Sequence, residues 1–317
     1  MKKLTLVFIL FLSILYFSCE NQSLKIYILG YDGGNAVYWL NDKKNILTNT
    51  GYDSQAKAIY VSGNKVIIVG QDDFPNNAVY WENGKQVILS KINKHAVATG
   101  IAVLGSDVYI SGHDGSYEGE WNAVYWHNGN QHILPSININ SRAYAIAIFN
   151  SDIFIVGYDG DDAVFWKNGQ QVVLPKTGRE AIARTISVSN SGVYIAGQDG
   201  MTDNWDAVYW HNSEQTILPR ASERAWAESI FISDTDIYIA GFDSGAVYWH
   251  NEEQVILSTS SVGGIASAIA VNNSDIYIAG GLFRETYEFD SVYWYNRKLI
   301  LLPRISEGYI NNILIVP

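Results

Sequence analysis

One phrase occurs seven times along this chain: an apolar run ending in Gly, a short polar stretch, then Ala-Val-Tyr-Trp or a close variant. The seven Trp are Trp39, Trp81, Trp126, Trp166, Trp210, Trp249 and Trp294, and the matching Gly are Gly30, Gly70, Gly112, Gly157, Gly197, Gly241 and Gly280. Successive Gly stand 39 to 45 residues apart. Repeats of this period cannot bury their apolar faces singly and must stack on copies of themselves. Each unit holds four short apolar, β-branched runs broken by Gly, Asn and Asp. In the fourth unit these are residues 144–148, 152–157, 163–166 and 171–175, here named strands a, b, c and d. Asn-Gly at Asn83-Gly84, Asn128-Gly129 and Asn168-Gly169 predicts tight c–d hairpins. Leu-Pro at Pro135, Pro175, Pro219 and Pro303 suits the end of an outer strand, because proline cannot donate to a ladder. The spacing and the strand count together predict an all-β, seven-bladed β-propeller with four antiparallel strands per blade.

The two ends of the repeat region predict how the ring closes. The first unit starts at strand b (25–30) with no strand a before it, and residues 309–316 form a surplus strand a with no strand b after it. Pairing the C-terminal strand a with the N-terminal b–c–d set completes one blade and removes free sheet edges. The propeller is therefore expected over 25–317, and a monomer is expected.

The repeat phrase, Ala-Val-Tyr-Trp-x-Asn-Gly followed by Leu-Pro, resembles the extracellular HAF-type repeat of bacterial secreted proteins, whose pattern is His-Ala-Phe…Trp-x-Asn-Gly…Leu. Here Asn, Asp or Gly stands where that repeat has His. The resemblance covers nearly all of 25–317 and implies architecture and export, with no general activity attached.

Residues 1–18 carry Lys2-Lys3, an apolar run over 4–17 and Ser18, followed by Cys19. A basic start, a short apolar stretch and a small residue at the cut describe an export signal. The segment resembles a bacterial lipoprotein signal, with Tyr16 where Leu is usual. The resemblance implies cleavage before Cys19, acylation of that cysteine, and attachment to the membrane through its lipid. Residues 19–24 then form a short tether. Glu20, rather than Asp, follows the cysteine, which favours the outer membrane in such families. Cys19 is the sole cysteine, so no disulfide framework exists.

Net charge is −11 and no run of more than two Lys/Arg occurs. Counterion release from phosphates needs a basic face, so nucleic acid is not expected as a partner.

The loops that vary between repeats direct attention to one face, since function tends to reside in variable loops on a rigid frame. The b–c and d–a connections share that face, called the top. Long b–c segments occur in the third, fifth and seventh units, over 113–122, 198–206 and 281–290. Trp121, Trp205 and Trp226, the three Trp outside the repeat position, fall on the top face with Tyr117, Phe283, Tyr287 and Phe289. Exposed aromatics stack on sugar rings or anchor protein partners. Strand a supplies a second set. Aligned on its Ile, the residue two before is Lys57, Thr99, Tyr144, Arg184, Glu228, Ser267 or Asn311. A variable polar position in a repetitive frame at the channel mouth reads as a ligand-facing ring.

Asp32, Asp72, Asp114, Asp159, Asp199 and Asp243 each stand two residues after the repeat Gly. They are expected to open turns by bonding their own backbone two residues on, rather than to hold a metal. His127, His211 and His250 share one repeat position beside the c–d turn and are expected to pack there. No His-Glu-x-x-His, Gly-x-Ser-x-Gly, phosphate-cradling glycine loop or Cys nucleophile is present, nor the Ser-x-Asp-x-Gly-x-x-Trp turn of sialidase propellers. Glu228 is the one carboxylate in the strand-a ring. The expectation is a non-catalytic binding module of the cell envelope without cofactor, taking a glycan or an envelope protein on its top face. The alternatives are an interaction scaffold in envelope assembly and a glycoside-processing enzyme.

Overall fold

The computed structural model describes residues 24–48, 53–72, 76–116, 120–201, 203–258, 263–283, 289–304 and 308–317. Residues 1–18, Cys19, Tyr117 and Tyr287 lie outside the described residues. The described residues form seven four-stranded antiparallel sheets, each with its strands in the order a–b–c–d, and none of them is helical. The molecule is a seven-bladed β-propeller. In blade 1 the C-terminal strand Gly308–Val316 pairs with Lys25–Asp32, which continues to Asn35–Leu40 and Lys43–Ile46. The ring closes as the two ragged ends require.

The repeat Gly works by letting strand a come close. In blade 4 (strands Ser141–Phe149, Asp152–Asp159, Asp162–Lys167 and Gln170–Val173), a Cβ on Gly157 would sit 1.8 Å from the Arg142 carbonyl oxygen. At Gly30 it would sit 1.9 Å from the Tyr309 carbonyl. Every blade repeats this contact. Just past it, strand a of every blade carries a register shift that leaves one residue unpaired. Such a bulge re-aims the side chain of the extra residue.

The repeat Trp joins blades. All seven are at most 1% exposed. Burying an indole of 150–250 Å² is worth roughly 4–6 kcal/mol as an upper bound. Among the described residues, five indole N–H groups donate to a carbonyl of the preceding blade. Trp166 bonds Pro135 at 2.7 Å, Trp210 bonds Pro175, Trp249 bonds Pro219, and Trp126 bonds Ser90. Trp39 bonds Pro303 at 2.9 Å across the closure. The Leu-Pro pair closes strand d: the Leu174 N–H still bonds the Ala163 carbonyl of strand c at 2.9 Å, Leu174 is buried, and the Pro175 carbonyl receives the next blade's Trp.

The c–d turns are uniform for a similar reason. In every blade an Asn with φ of 47–51° begins the turn, and its Oδ1 accepts the N–H of a residue at or near the start of strand b. His127, His211 and His250 flank these turns and stack on Tyr109, Tyr194 and Tyr238 at 4.1–4.4 Å.

The six Asp have a structural role, but their partners differ from the sequence expectation. Asp159 accepts the N–H groups of Ile137 and Asn138 in the d–a connection and the Nε2–H of Gln171 in strand d. Asp114, Asp199 and Asp243 repeat this arrangement with Gln131, Gln215 and Gln254. The carboxylate latches the connection between blades instead of turning its own backbone. Burial alone would raise the Asp199 and Asp243 carboxyls, but these donors outweigh it and hold both below the usual range. In blade 1 Lys44 replaces Gln as partner of Asp32. In blade 7 both members are lost together, to Leu282 and Leu299.

Replacing Trp166 with Phe removes one inter-blade bond and leaves the Pro135 carbonyl without its donor. The variant should lose about 2 kcal/mol of stability, read as a lower urea midpoint with unchanged far-ultraviolet circular dichroism.

Candidate functional site

The seven bulge residues are Lys57, Thr99, Tyr144, Arg184, Glu228, Ser267 and Asn311, the variable polar set of strand a. A narrow chamber of about 290 Å³ on the propeller axis is lined by all seven. Above it opens a cavity of about 560 Å³, where Lys57, Tyr144, Arg184, Glu228 and Asn311 meet Trp121. These residues come from blades 1 to 6, and the ring geometry alone brings them together.

Trp205 and Trp226 do not join that cavity. They line a separate hollow of about 190 Å³ with Gln198, Arg224 and Arg184, and Arg184 is shared by both. The three non-repeat Trp are not open platforms. Trp226 stacks on Phe242 at 4.2 Å, and Trp121 lies under the Arg142 guanidinium at 4.7 Å with His113 edge-on at 5.1 Å. All three are half-buried. The long b–c segments also prove to be mostly ladder. Strands b and c continue outward as ribbons in blades 3, 5 and 7, pairing Gly115 with Trp121, Met201 with Asn204, and Phe283 with Phe289.

Arg142, His113, Gln55 and Gln71 line the main cavity and escaped the sequence reading. Gln55 and Arg142 stand two residues before a bulge, and Gln71 and His113 stand between the repeat Gly and the repeat Asp. These two positions face each other across strands a and b: Gln55 pairs with Gln71, Val97 with His113, and Arg142 with Tyr158. The signal was present in the repeat. The middle residue of Gly-x-Asp runs Tyr31, Gln71, His113, Tyr158, Gln198 and Phe242 between fixed neighbours.

The cavity is lined by three cations against one carboxylate. Burial lowers Lys57 to about 8, against an opposing pull from Asp53, and its Nζ donates to Gln55 Oε1 at 2.9 Å. Burial, then the charges of Arg142 and Lys57, push His113 down to about 3, so its imidazole is neutral at pH 7; the Ala143 carbonyl pulls weakly the other way. His113 is 7% exposed, and its Nδ1 has no hydrogen-bond partner among the described residues. Arg184 donates to Gln198 Oε1 at 2.8 and 3.1 Å and faces Glu228 at 3.7 Å. Among the described residues no three His, Cys, Asp or Glu side chains converge as metal ligands.

No family model matches the chain, and no curated protein matches it. Among solved structures it is similar to a puromycin-hydrolyzing peptidase of Mycobacterium tuberculosis, with TM-score 0.55 and 11% sequence identity. The match covers 89% of this chain and 53% of that one, so the chain spans about half of that protein. At this identity the likeness concerns the propeller fold alone.

The buried neutral imidazole gives a pH signature. A base whose folded pKa lies below its unfolded value leaves the unfolded chain holding more protons between the two. His113 therefore makes stability fall as pH drops from about 6.5 towards 3. In a His113→Gln variant that component should vanish, giving a shallower loss of melting temperature between pH 6.5 and 4 than in wild type. Parallel curves would show that His113 is already charged in the fold.

Proposed function

We propose that this propeller is a non-catalytic saccharide-binding module that holds its ligand over the channel mouth. The observation that carries this reading is the ring of bulges. Seven structurally equivalent positions converge on one concave site and carry seven different side chains. Amides (Gln55, Gln71, Asn311), a phenol (Tyr144) and charged groups around a half-buried indole suit the hydroxyl-rich edges and apolar faces of sugars. A protein scaffold is less favoured. Exposed aliphatics such as Ile88, Ile133 and Leu301 recur once per blade on the outer strand, spread round the rim, and the further ones, Ile92, Ile137 and Ile139, are divided between two d–a connections.

We also infer that the chain is exported and lipid-anchored at Cys19, in the outer membrane. Supporting this, the chain enters on the face opposite the cavity: Lys25 pairs with Val316, and the Ile26 N–H bonds Asn41 in a c–d turn. An anchor there would point the cavity away from the lipid. Labelled palmitate should be incorporated in vivo by wild type and not by Cys19→Ala; equal labelling of both would sink the anchor.

A second reading, an enzyme, draws on Lys57 and His113, two groups with shifted pKa values lining one cavity. The common cause of both shifts is burial, and the one carboxylate lining the cavity, Glu228, is paired with Arg184.

A glycan array probed with the purified chain beside a Trp121→Ala/Tyr144→Ala variant tests the main reading. Binding that falls at least tenfold in a folded variant is expected. A blank array from folded wild type, or bound glycans returned as shorter products, would refute it.

A further inference from the structure

The cavity's charge is out of keeping with its chain. The protein has 32 Asp and Glu against 21 Lys and Arg, yet the cavity is lined by Lys57, Arg142 and Arg184 against Glu228 alone. Glu228 is answered by Arg184, which is also held by Gln198. Lys57 and Arg142 have no carboxylate partner among the described residues. Lys57 donates to the neutral Gln55 and feels Asp53 only at a distance, without an ion pair, and the buried Arg142 Nε has no hydrogen-bond partner there. Half-buried cations without counterions are costly, and a concave site concentrates their field on whatever enters.

From this arrangement we infer that the cavity selects an acidic saccharide, whose sugar carboxylate is received by Arg142 and Lys57. The inference rests on the saccharide reading above and adds the class of sugar. Arg142 is suited to the task because its guanidinium lies over the Trp121 ring at 4.7 Å, and a planar guanidinium fork matches a carboxylate with two parallel bonds. Beside it, the buried His113 imidazole, 7% exposed, adds a neutral wall rather than a further charge. A cavity of about 560 Å³ lies in the range that takes a drug-sized ligand, or one to two sugar rings. Free sulfate or phosphate shares the anionic chemistry but leaves the amide wall unused.

Isothermal titration of the detergent-solubilised full chain separates these cases. The probes are a panel of hexuronate- and sialate-bearing oligosaccharides, the methyl ester of each, and sodium sulfate. The expected result is binding of at least one acidic oligosaccharide, at least tenfold weaker binding of its ester, and weaker binding as salt rises. Arg142→Gln and Lys57→Gln should each lower affinity at least tenfold while melting near the wild-type temperature. If either variant fails to fold, the ester and salt comparisons on wild type decide. Esters bound as tightly as the acids would overturn the acidic class and leave the saccharide reading standing. Sulfate bound with no oligosaccharide bound would overturn the saccharide reading itself. No binding of any probe would overturn both.

Discussion

The close approach of one carbonyl to one glycine in each blade organises this molecule. Strand a lays the carbonyl of Arg142, or its equivalent, against Gly157 or its equivalent at a distance that excludes any Cβ. Strand a then takes up an extra residue, because its pairing resumes out of step with strand b. That residue turns from the ladder to the axis. The glycine that fixes each blade's inner edge thereby also decides where the blade's variable side chain points. A fold made of seven near-copies in this way acquires one site of seven different residues.

Everything else repetitive serves to hold that geometry. Buried indoles tie each blade to the one before it, and Asp–Gln latches pin the inter-blade connections. The Asn turns fix the opposite face. With the frame determined at these positions, bulge residues and their cross-strand neighbours can vary without loss of the fold. Blade 7 shows how tightly the latch is coupled: its Asp and Gln positions both become Leu, so neither polar group is left without the other.

The architecture was legible because it depends on residues that recur. Gly, Trp and Leu-Pro keep their spacing, and the incomplete first and last units carry the closure in plain sight. The bulge ring was legible as the variable polar position of strand a. What escaped was anything set by partners distant in sequence. The Asp latch looked like a local turn because its donors lie 21 to 22 residues earlier, in the connection from the previous blade. Trp121, Trp205 and Trp226 looked exposed because sequence position does not show that Arg142 covers one and Phe242 another. His113 and Arg142 were overlooked although the varying residue of Gly-x-Asp and the residue two before each bulge mark them. Only cross-strand pairing shows that these positions share the cavity wall.

The cavity joins the two levels. Its walls come from the repeat frame, its charge from Lys57 and Arg142, which form no ion pair among the described residues, and its neutral flank from an imidazole kept unprotonated by burial first and those cations second. The most direct test of this account is a crystal structure of the protein soaked with the acidic oligosaccharide that binds it best. Sugar density over the channel mouth, with its carboxylate on Arg142 and Lys57 and its rings against the bulge residues, is the predicted result. Density confined to the outer strands or the c–d turns, with the channel mouth empty, would contradict it.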